Sequence, residues 1–594
     1  MAYKSLRLLA PFLAVVTAAI AWPRPASACG GLFCSAASPV NQAAERIIFS
    51  QSDDGKTTAV IEIQYQGPSE NFSWVLPVPG VPEVGLSSKQ ALDRLQAQTE
   101  PRYVVTTDFG ACPFPDYAQE DGDFGALDAG ATAVDGGVGG VQVLASGTVG
   151  PYDFTVIEID SNANEPAQLM IDWLDMNGYD VSLLGEDLLG EYVAAGMNFL
   201  AVRLSKNSDT GSVRPVMITY DSERPVIPIR PTAVAANPDM GVMAWVLGSE
   251  RAIPTNYRSL ELNDALINWF DPFPTYDQVV IAAANEAGGH GFVTEHAGST
   301  DIASDLIWFE AADDVRLQLE GYSASELLFE AARNFGSLDG FSDVVAETVP
   351  MPSGVSVSQF LDCIDCYIYA PSSDGGASPV LSLDRTAFLS ALDRLVIDPM
   401  RRTQELFDNA LYTTRLYTTL SADEMTVDPE FDFNPDLDEV SNVHEAEQVL
   451  ECSDGGQRWS MRLPSGVTVR GTDLYGWPID VNSGLPYNMR ILQYSTSGPG
   501  EVIRDNQAMV IGTVDQFPLL PPGMFPNGGP IAADSGVGPG ASSSDGGFWG
   551  DDTLRNDSAS DCGCRLPGAS SRSQPAALFG LGVMLLALRR RRVN

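Results

Sequence analysis

The sequence predicts an α+β fold: a β-rich N-terminal part, a mixed α/β middle and a more helical C-terminal part, stapled by disulfides. Three observations carry this expectation. Strand and helix patterns alternate without the regular spacing of βαβ units, which argues against a doubly wound sheet. Hydrophobic residues make up 44% of the chain and aromatics 9%, enough to build a sizeable core. Six cysteines fall between the two chain ends, an even number. At 594 residues the chain allows two to four domains, and 55 Gly with 40 Pro predict long loops.

The elements follow in order. Glu45 to Ser50 and Thr57 to Tyr65 alternate apolar and polar positions around Asp53-Asp54-Gly55, the period and turn chemistry of a β-hairpin. Phe72 to Val78 is a third strand, closed by Pro77, Pro79 and Pro82. Ser87 to Gln98 has helical spacing at Ala91, Leu92 and Leu95, with Ser87 or Ser88 as N-cap. Arg102 to Thr107 returns to a strand pattern. These elements make a β-rich start over 29–115, and the Gly/Ala/Asp-rich stretch 116–140 reads as a linker or long loop.

An α+β domain is expected over 141–350. Val141–Leu144 and Phe154–Ile159 are strands, and Pro166–Met176 is a helix with Pro at its start and Gly178 just past its end. Phe199–Leu204 and Val216–Tyr220 are strand-like, Val226–Pro231 is extended, and Gly241–Leu247 reads as a buried strand. Leu260 to Phe270 is read as a short helix, and Ser323 to Asn334 as a longer one. Residues 351–525 are helix-rich and then β: helices over Val357–Asp362, Asp384–Leu395 and Pro399–Ala410 precede strands at Trp459–Leu463, Val467–Arg470 and Met489–Tyr494.

Charge divides the chain. Asp and Glu number 78 against 34 Lys and Arg, a net charge of -44, and this acid excess argues against nucleic-acid binding. Residues 1–28 and 565–594 hold nine of the basic residues and none of the acids, so the part between them carries -53. Only four Lys occur against thirty Arg, a bias expected of a G+C-rich genome.

The chain ends read as addresses. Lys4 and Arg7, the apolar run Leu8 to Trp22 and Ala26-Ser27-Ala28 make a signal peptide over 1–28, cut by signal peptidase between Ala28 and Cys29. A lipidated Cys29 is the competing reading, although Ala26 stands where that signal prefers Leu. At the other end, the Gly/Ser/Asp linker 526–561 leads to Cys562-Gly563-Cys564, a polar spacer, an apolar segment Ala576–Leu588 and Arg589 to Arg592. Thirteen apolar residues are marginal for a transmembrane helix. The order of parts over 562–594 resembles the MYXO-CTERM sorting signal of myxobacteria and their relatives. That resemblance implies a protein processed at Cys562 or Cys564 by a membrane-bound sorting protease and held at the cell surface.

The remaining cysteines are Cys29, Cys34, Cys112, Cys363, Cys366 and Cys452. Structural disulfides are the favoured reading for all six, with fifteen possible pairings. Cys363-Ile364-Asp365-Cys366 invites zinc or thiol redox chemistry. Zinc would want a second pair at this spacing, and a redox site would want a strand-to-helix turn.

Several segments together resemble a known family. Cys29-Gly30-Gly31-Leu32-Phe33-Cys34, Glu45-Arg46-Ile47, Phe72-Ser73-Trp74-Val75-Leu76-Pro77-Val78-Pro79, Gly196-Met197-Asn198-Phe199 and Pro228-Ile229-Arg230-Pro231-Thr232 look like the domain of unknown function 2330 family. The likeness runs over about residues 29–350 and implies an exported bacterial protein. It brings no established activity, and no catalytic or cofactor-binding residue is assigned from it.

Chemistry has few other footholds. Gly-x-Ser-x-Gly, Walker, His-Glu-x-x-His and Gly-x-Gly-x-x-Gly motifs are missing. Of the three histidines, His290, His296 and His444, the first two share a Gly-rich segment and could meet at a metal with Glu295 or Asp301. Two ordinary loop histidines are the plainer reading, and no metal ligand is assigned. Asp432 to Glu439 has acids and an amide at alternate positions, as a calcium loop does, but Leu437 replaces the turn glycine and Val443 the final Glu. No cofactor is assigned; calcium is the one alternative kept, and a solvated acidic loop is favoured. Trp74, Trp173, Trp245, Trp269 and Trp477 read as core. The function expected is a non-enzymatic, surface-anchored structural or binding protein of the cell envelope. The alternative is an exported hydrolase using carboxylates or a His-containing metal site.

Overall fold

The structure, a computed structural model, describes residues 41–516 apart from 53, 67–72, 111, 113–140, 178, 180–185, 205–213, 235, 304–309, 372–376, 380–382 and 454–455. The signal segment, Cys29, Cys34, the 116–140 and 526–561 stretches and the sorting segment with Cys562 and Cys564 lie outside the described residues. Among the described residues no helix is long and apolar enough to cross a membrane.

The predicted hairpin forms from Asn41–Gln51 and Lys56–Gln66, with Gly55 in its turn at φ 81°, a conformation that suits glycine. A ten-stranded sheet grows from it in both directions. Its order is Glu501–Asp505, Asn488–Gln493, Arg258–Leu262, Gly291–Ser299, Tyr412–Leu420, Ala236–Gly248, Asn41–Gln51, Lys56–Gln66, Val216–Asp221 and Glu83–Leu86. Asn41–Gln51 runs parallel to Ala236–Gly248, and Arg258–Leu262 parallel to Gly291–Ser299; the other neighbours are antiparallel. Ala236–Gly248 sits near the middle and is covered on both sides. Met243, Trp245 and Leu247 enter one core while Val242, Ala244 and Val246 enter the other. Burial on both faces explains its continuous apolar run.

The first face packs against the Lys89–Thr99 and Phe273–Glu286 helices. A four-stranded sheet in the order Thr468–Gly471, Gly456–Arg462, Val443–Ser453 and Arg102–Asp108 contributes to the same core. The second face packs on another four-stranded sheet: Ser73–Val78, Asn198–Leu204, Tyr152–Ile159 and Val141–Val149. Met170, Trp173, Leu174, Leu189 and Val193, from the helices Pro166–Met176 and Glu186–Ala194, seal the far side of that sheet. Helices between Glu310 and Asp408 bury Leu328, Phe335, Phe341, Phe388, Leu392 and Met400 in a cluster of their own. The fold is α+β, as the sequence predicts.

Disulfides join Cys112 to Cys452 and Cys363 to Cys366, with Cα atoms 5.5 and 5.3 Å apart. The first ties the end of Arg102–Asp108 to the end of its parallel neighbour Val443–Ser453. The second closes the junction between the short helices Val357–Asp362 and Ile364–Ile368. All five tryptophans read as core are buried.

Two expectations need correction. Leu260 to Phe270 is not a helix: Arg258–Leu262 is a strand held between two neighbours, and only one 3-10 turn follows, Asp264–Leu266. Asn263 starts that turn by accepting from Ala265 N, while its amide donates to Pro486 O at 2.8 Å. The Gly-rich segment around the two histidines is not a loop either. Gly288 and Gly289 adopt positive φ after the Phe273–Glu286 helix, and the chain then enters the Gly291–Ser299 strand.

Candidate functional site

Two buried polar centres lie on opposite faces of the ten-stranded sheet. The first begins with the Gly291–Ser299 strand. Its register against Tyr412–Leu420 slips by one residue between Thr294 and His296, so Glu295 is the extra residue of a β-bulge. Bulges re-aim side chains, and here the carboxylate meets a fully buried arginine. Arg415 Nε lies 2.6 Å from Glu295 Oε2, and both side chains are sealed from solvent. Arg415 Nη1 donates to Gln96 O at 2.9 Å and Thr99 Oγ1 at 3.1 Å, and its guanidinium lies over the Trp245 ring. Tyr276 donates its hydroxyl to Glu295 Oε1. Burial raises the Glu295 carboxyl above its usual range, against the opposing pull of Arg415 and Tyr276. His296 pairs in register with Arg415, and burial, aided by that cation, pushes its imidazole down to about 4. The ring is therefore neutral at pH 7. A shallow depression with room for about one water is lined by Glu100, Pro101, Tyr103, Pro272, Phe273 and Tyr276.

The three histidines stand in three different places. His290 Nε2 is 2.9 Å from Glu424 O and 3.1 Å from Thr426 Oγ1, with its ring edge-on to Tyr257. His296 is six residues further along extended chain, about 20 Å away by strand rise. Asp301 follows the strand in a 3-10 turn, at the end opposite His290. His444 stacks on Tyr103 with centroids 4.8 Å apart. Glu295 and His296 each lie beside Arg415; His290 and Asp301 do not join them. Among the described residues no three His, Cys, Asp or Glu are grouped to hold a metal.

The candidate calcium loop is engaged by the protein itself. Asp432 pairs with Arg224 at 3.0 Å, and the Asn434 amide donates to Ser495 O and Gly498 O. Asp436 accepts from Gly498 N at 2.7 Å.

The second centre lies on the other face, at the start of the hairpin. A register shift between Gln42 and Ala44 sets the phase of Asn41–Gln51. From there Ile47 and Phe49 enter one core and Ile48 the other. Arg46 shares the side of Ile48, where it meets Glu62 at 2.5 Å, Asp93 at 2.7 Å and Gln96 Oε1 at 2.7 Å. Arg46 and Arg415 thus both hold the Lys89–Thr99 helix through Gln96. Glu45 shares the side of Ile47 and is 5% exposed. It accepts from Gln42 Nε2 at 3.3 Å, and burial pushes its carboxyl up to about 7.

Glu45 lines a small cleft, with room for about one water, together with Trp74, Val75, Leu76, Pro228, Pro231 and Thr232. Each residue belongs to a segment that carries the family resemblance: Glu45-Arg46-Ile47, the Trp-Val-Leu-Pro run, and Pro228 to Thr232. The Gly196 to Phe199 segment lies close by, since Asn198 donates to Gly80 O at 2.8 Å and Phe199 pairs with Pro77. Sequence reasoning identifies these segments as a likeness and Trp74 as core. It does not identify Glu45 as a site residue, because the separation between Glu45 and Thr232 hides their meeting.

Comparison with known proteins agrees with the likeness. The family model described as an uncharacterized protein conserved in bacteria (DUF2330) matches residues 23–337, more than half of the chain. No curated protein and no solved structure matches. With that match, the chain belongs to the DUF2330 family of bacterial proteins.

Proposed function

We propose that this chain is an exported, cell-surface-anchored bacterial protein whose role in the envelope is to bind a partner or ligand, the cleft at Glu45 being the binding site. The observation that carries the binding half is the convergence of three of the segments singled out in the sequence on one cleft with a single carboxyl in its wall. Export and anchoring rest on the two chain ends: the leader ending at Ala28, and the Cys562-Gly563-Cys564, apolar and Arg-rich tail. Signal peptidase and a sorting protease would act on those ends, and the envelope would supply the partner. The alternative, an exported hydrolase, has less geometry behind it, since the histidines stand apart and Glu295 is sealed by Arg415 and Tyr276.

Each half has its own test. With Cys562→Ala plus Cys564→Ala, surface labelling of intact cells is expected to fall to background; unchanged labelling contradicts sorting at these cysteines. With the mature body as bait on intact cells, partner capture is expected for the wild type and lost in Thr232→Phe, which fills the cleft. Equal capture by a folded Thr232→Phe protein contradicts the cleft as binding site.

A further inference from the structure

Resting on that reading, we propose that the Glu45 cleft takes a primary ammonium group on a slender alkyl stem, either a free amine or the lysine side chain of a partner. Of the seven lining residues only Glu45 ionises, so among the described residues that line the cleft a bound cation would meet one carboxylate and no competing charge. Gln42 already donates to Glu45 Oε2, and among the described residues no other hydrogen bond reaches this carboxylate, which leaves Oε1 for a ligand. One oxygen suits the point charge of an ammonium; a guanidinium would want both. Trp74 supplies an aromatic wall, and rings of this kind attract cations. The space beside Glu45 is about that of one water, which the head of a primary ammonium matches in size, and Val75, Leu76, Pro228 and Pro231 are its apolar neighbours.

The surroundings favour the same sign. Arg230 belongs to the turn that carries Pro231, yet it pairs with Glu191 at 2.6 Å and lies over the Tyr192 ring. Beside Glu45 on its own strand, Arg46 serves the other face through Glu62 and Asp93. The neighbouring strands place Ile63 and Val242 opposite Glu45. The chain's net charge of -44 would draw cations toward it from solution. A metal ion fits less well, because the wall offers one carboxylate and no His or Cys.

The empty site holds its carboxyl near 7, so an arriving ammonium must find it ionised. Binding therefore strengthens as pH rises. Between about pH 5.5 and pH 8 the expected gain is about thirtyfold, the ratio of ionised fractions for a group titrating near 7.

The test titrates the folded protein with butylammonium, using butanol and butyrate as controls with the same stem, and is read by ligand-observed NMR. Butylammonium is expected to bind at least tenfold tighter than either control at pH 8. Glu45→Gln, which mimics the neutral side chain in shape, is expected to lose that advantage together with the pH dependence. Nα-acetyl-lysine N-methylamide separates the two sources: binding of this probe alone assigns a partner's lysine, and binding of both assigns any primary amine. Butanol binding as tightly as butylammonium, or no strengthening between the two pH values in the wild type, overturns the proposal; the pH series needs no variant. If Glu45→Gln keeps envelope capture while Thr232→Phe loses it, the cleft binds and the ammonium assignment fails. If both variants keep it, the cleft itself is not the site.

Discussion

Arg415→Met is expected to destabilise the protein by about 3–5 kcal/mol, because it leaves the Glu295 carboxylate buried without its counter-charge. The loss should exceed that of a simple cavity, since Arg415 also holds Gln96 O and Thr99 Oγ1 and covers Trp245. Its pH dependence has a definite sign. Glu295 already titrates above its usual value, so the native state holds that proton more tightly than the unfolded chain does. Removing Arg415 strengthens the preference. The loss should therefore be largest at neutral pH and shrink as pH falls through about 4, below which the carboxyl becomes protonated in both states. Denaturant unfolding at two pH values measures it. An equal loss at both would show that packing, not charge, dominates. In Glu295→Gln with Arg415→Met the penalty should be partly relieved, because the buried charge is gone from both sides.

Cys452→Ala is expected to give the second large effect. The Cys112–Cys452 bond closes a sequence separation of 340 residues, and loop-closure entropy assigns such a crosslink up to about 5 kcal/mol. Cys366→Ala should cost far less, since Cys363 and Cys366 are only three residues apart and the crosslink removes little freedom from the unfolded chain. Thermal unfolding of the two variants side by side gives the comparison: a clear drop in Tm for Cys452→Ala and a small one for Cys366→Ala. Equal drops would mean that the Cys363–Cys366 bond holds the helical cluster in a way that loop entropy does not describe.

The parts of the fold legible in the sequence are those whose causes are local. The hairpin is visible because alternation and an Asp-Asp-Gly turn coincide, and the Pro166–Met176 helix because a proline opens it and a glycine follows its end. The Phe273–Glu286 helix is hidden by Pro272 and Pro274, which look like breaks but sit at the helix start, where proline is tolerated. Gly291–Ser299 and Tyr412–Leu420 lie inside the large sheet with both faces covered, so neither alternates. Gly, Thr, His and Arg then make them look like loop.

The candidate sites divide the same way. The pairing of Glu295 with Arg415 depends on a bulge and on a strand more than a hundred residues later, and neither leaves a local signal. Arg415 stands alone in a threonine-rich run, with nothing to mark it as the partner of a buried acid. His290 and His296 look like a pair only while the segment is taken as a flexible loop; extending it separates them. The signature segments around Glu45 are readable one by one, but the cleft that they make exists only after the hairpin, the Ser73–Val78 strand and the Pro228–Thr232 turn have packed.

The central claim is that those segments build a binding site, and the most direct measurement compares partner capture by the mature body and its Thr232→Phe variant, with both confirmed as folded by coincident thermal unfolding. Capture by the wild type and its loss in the variant is the predicted result. Undiminished capture by the folded variant would contradict it.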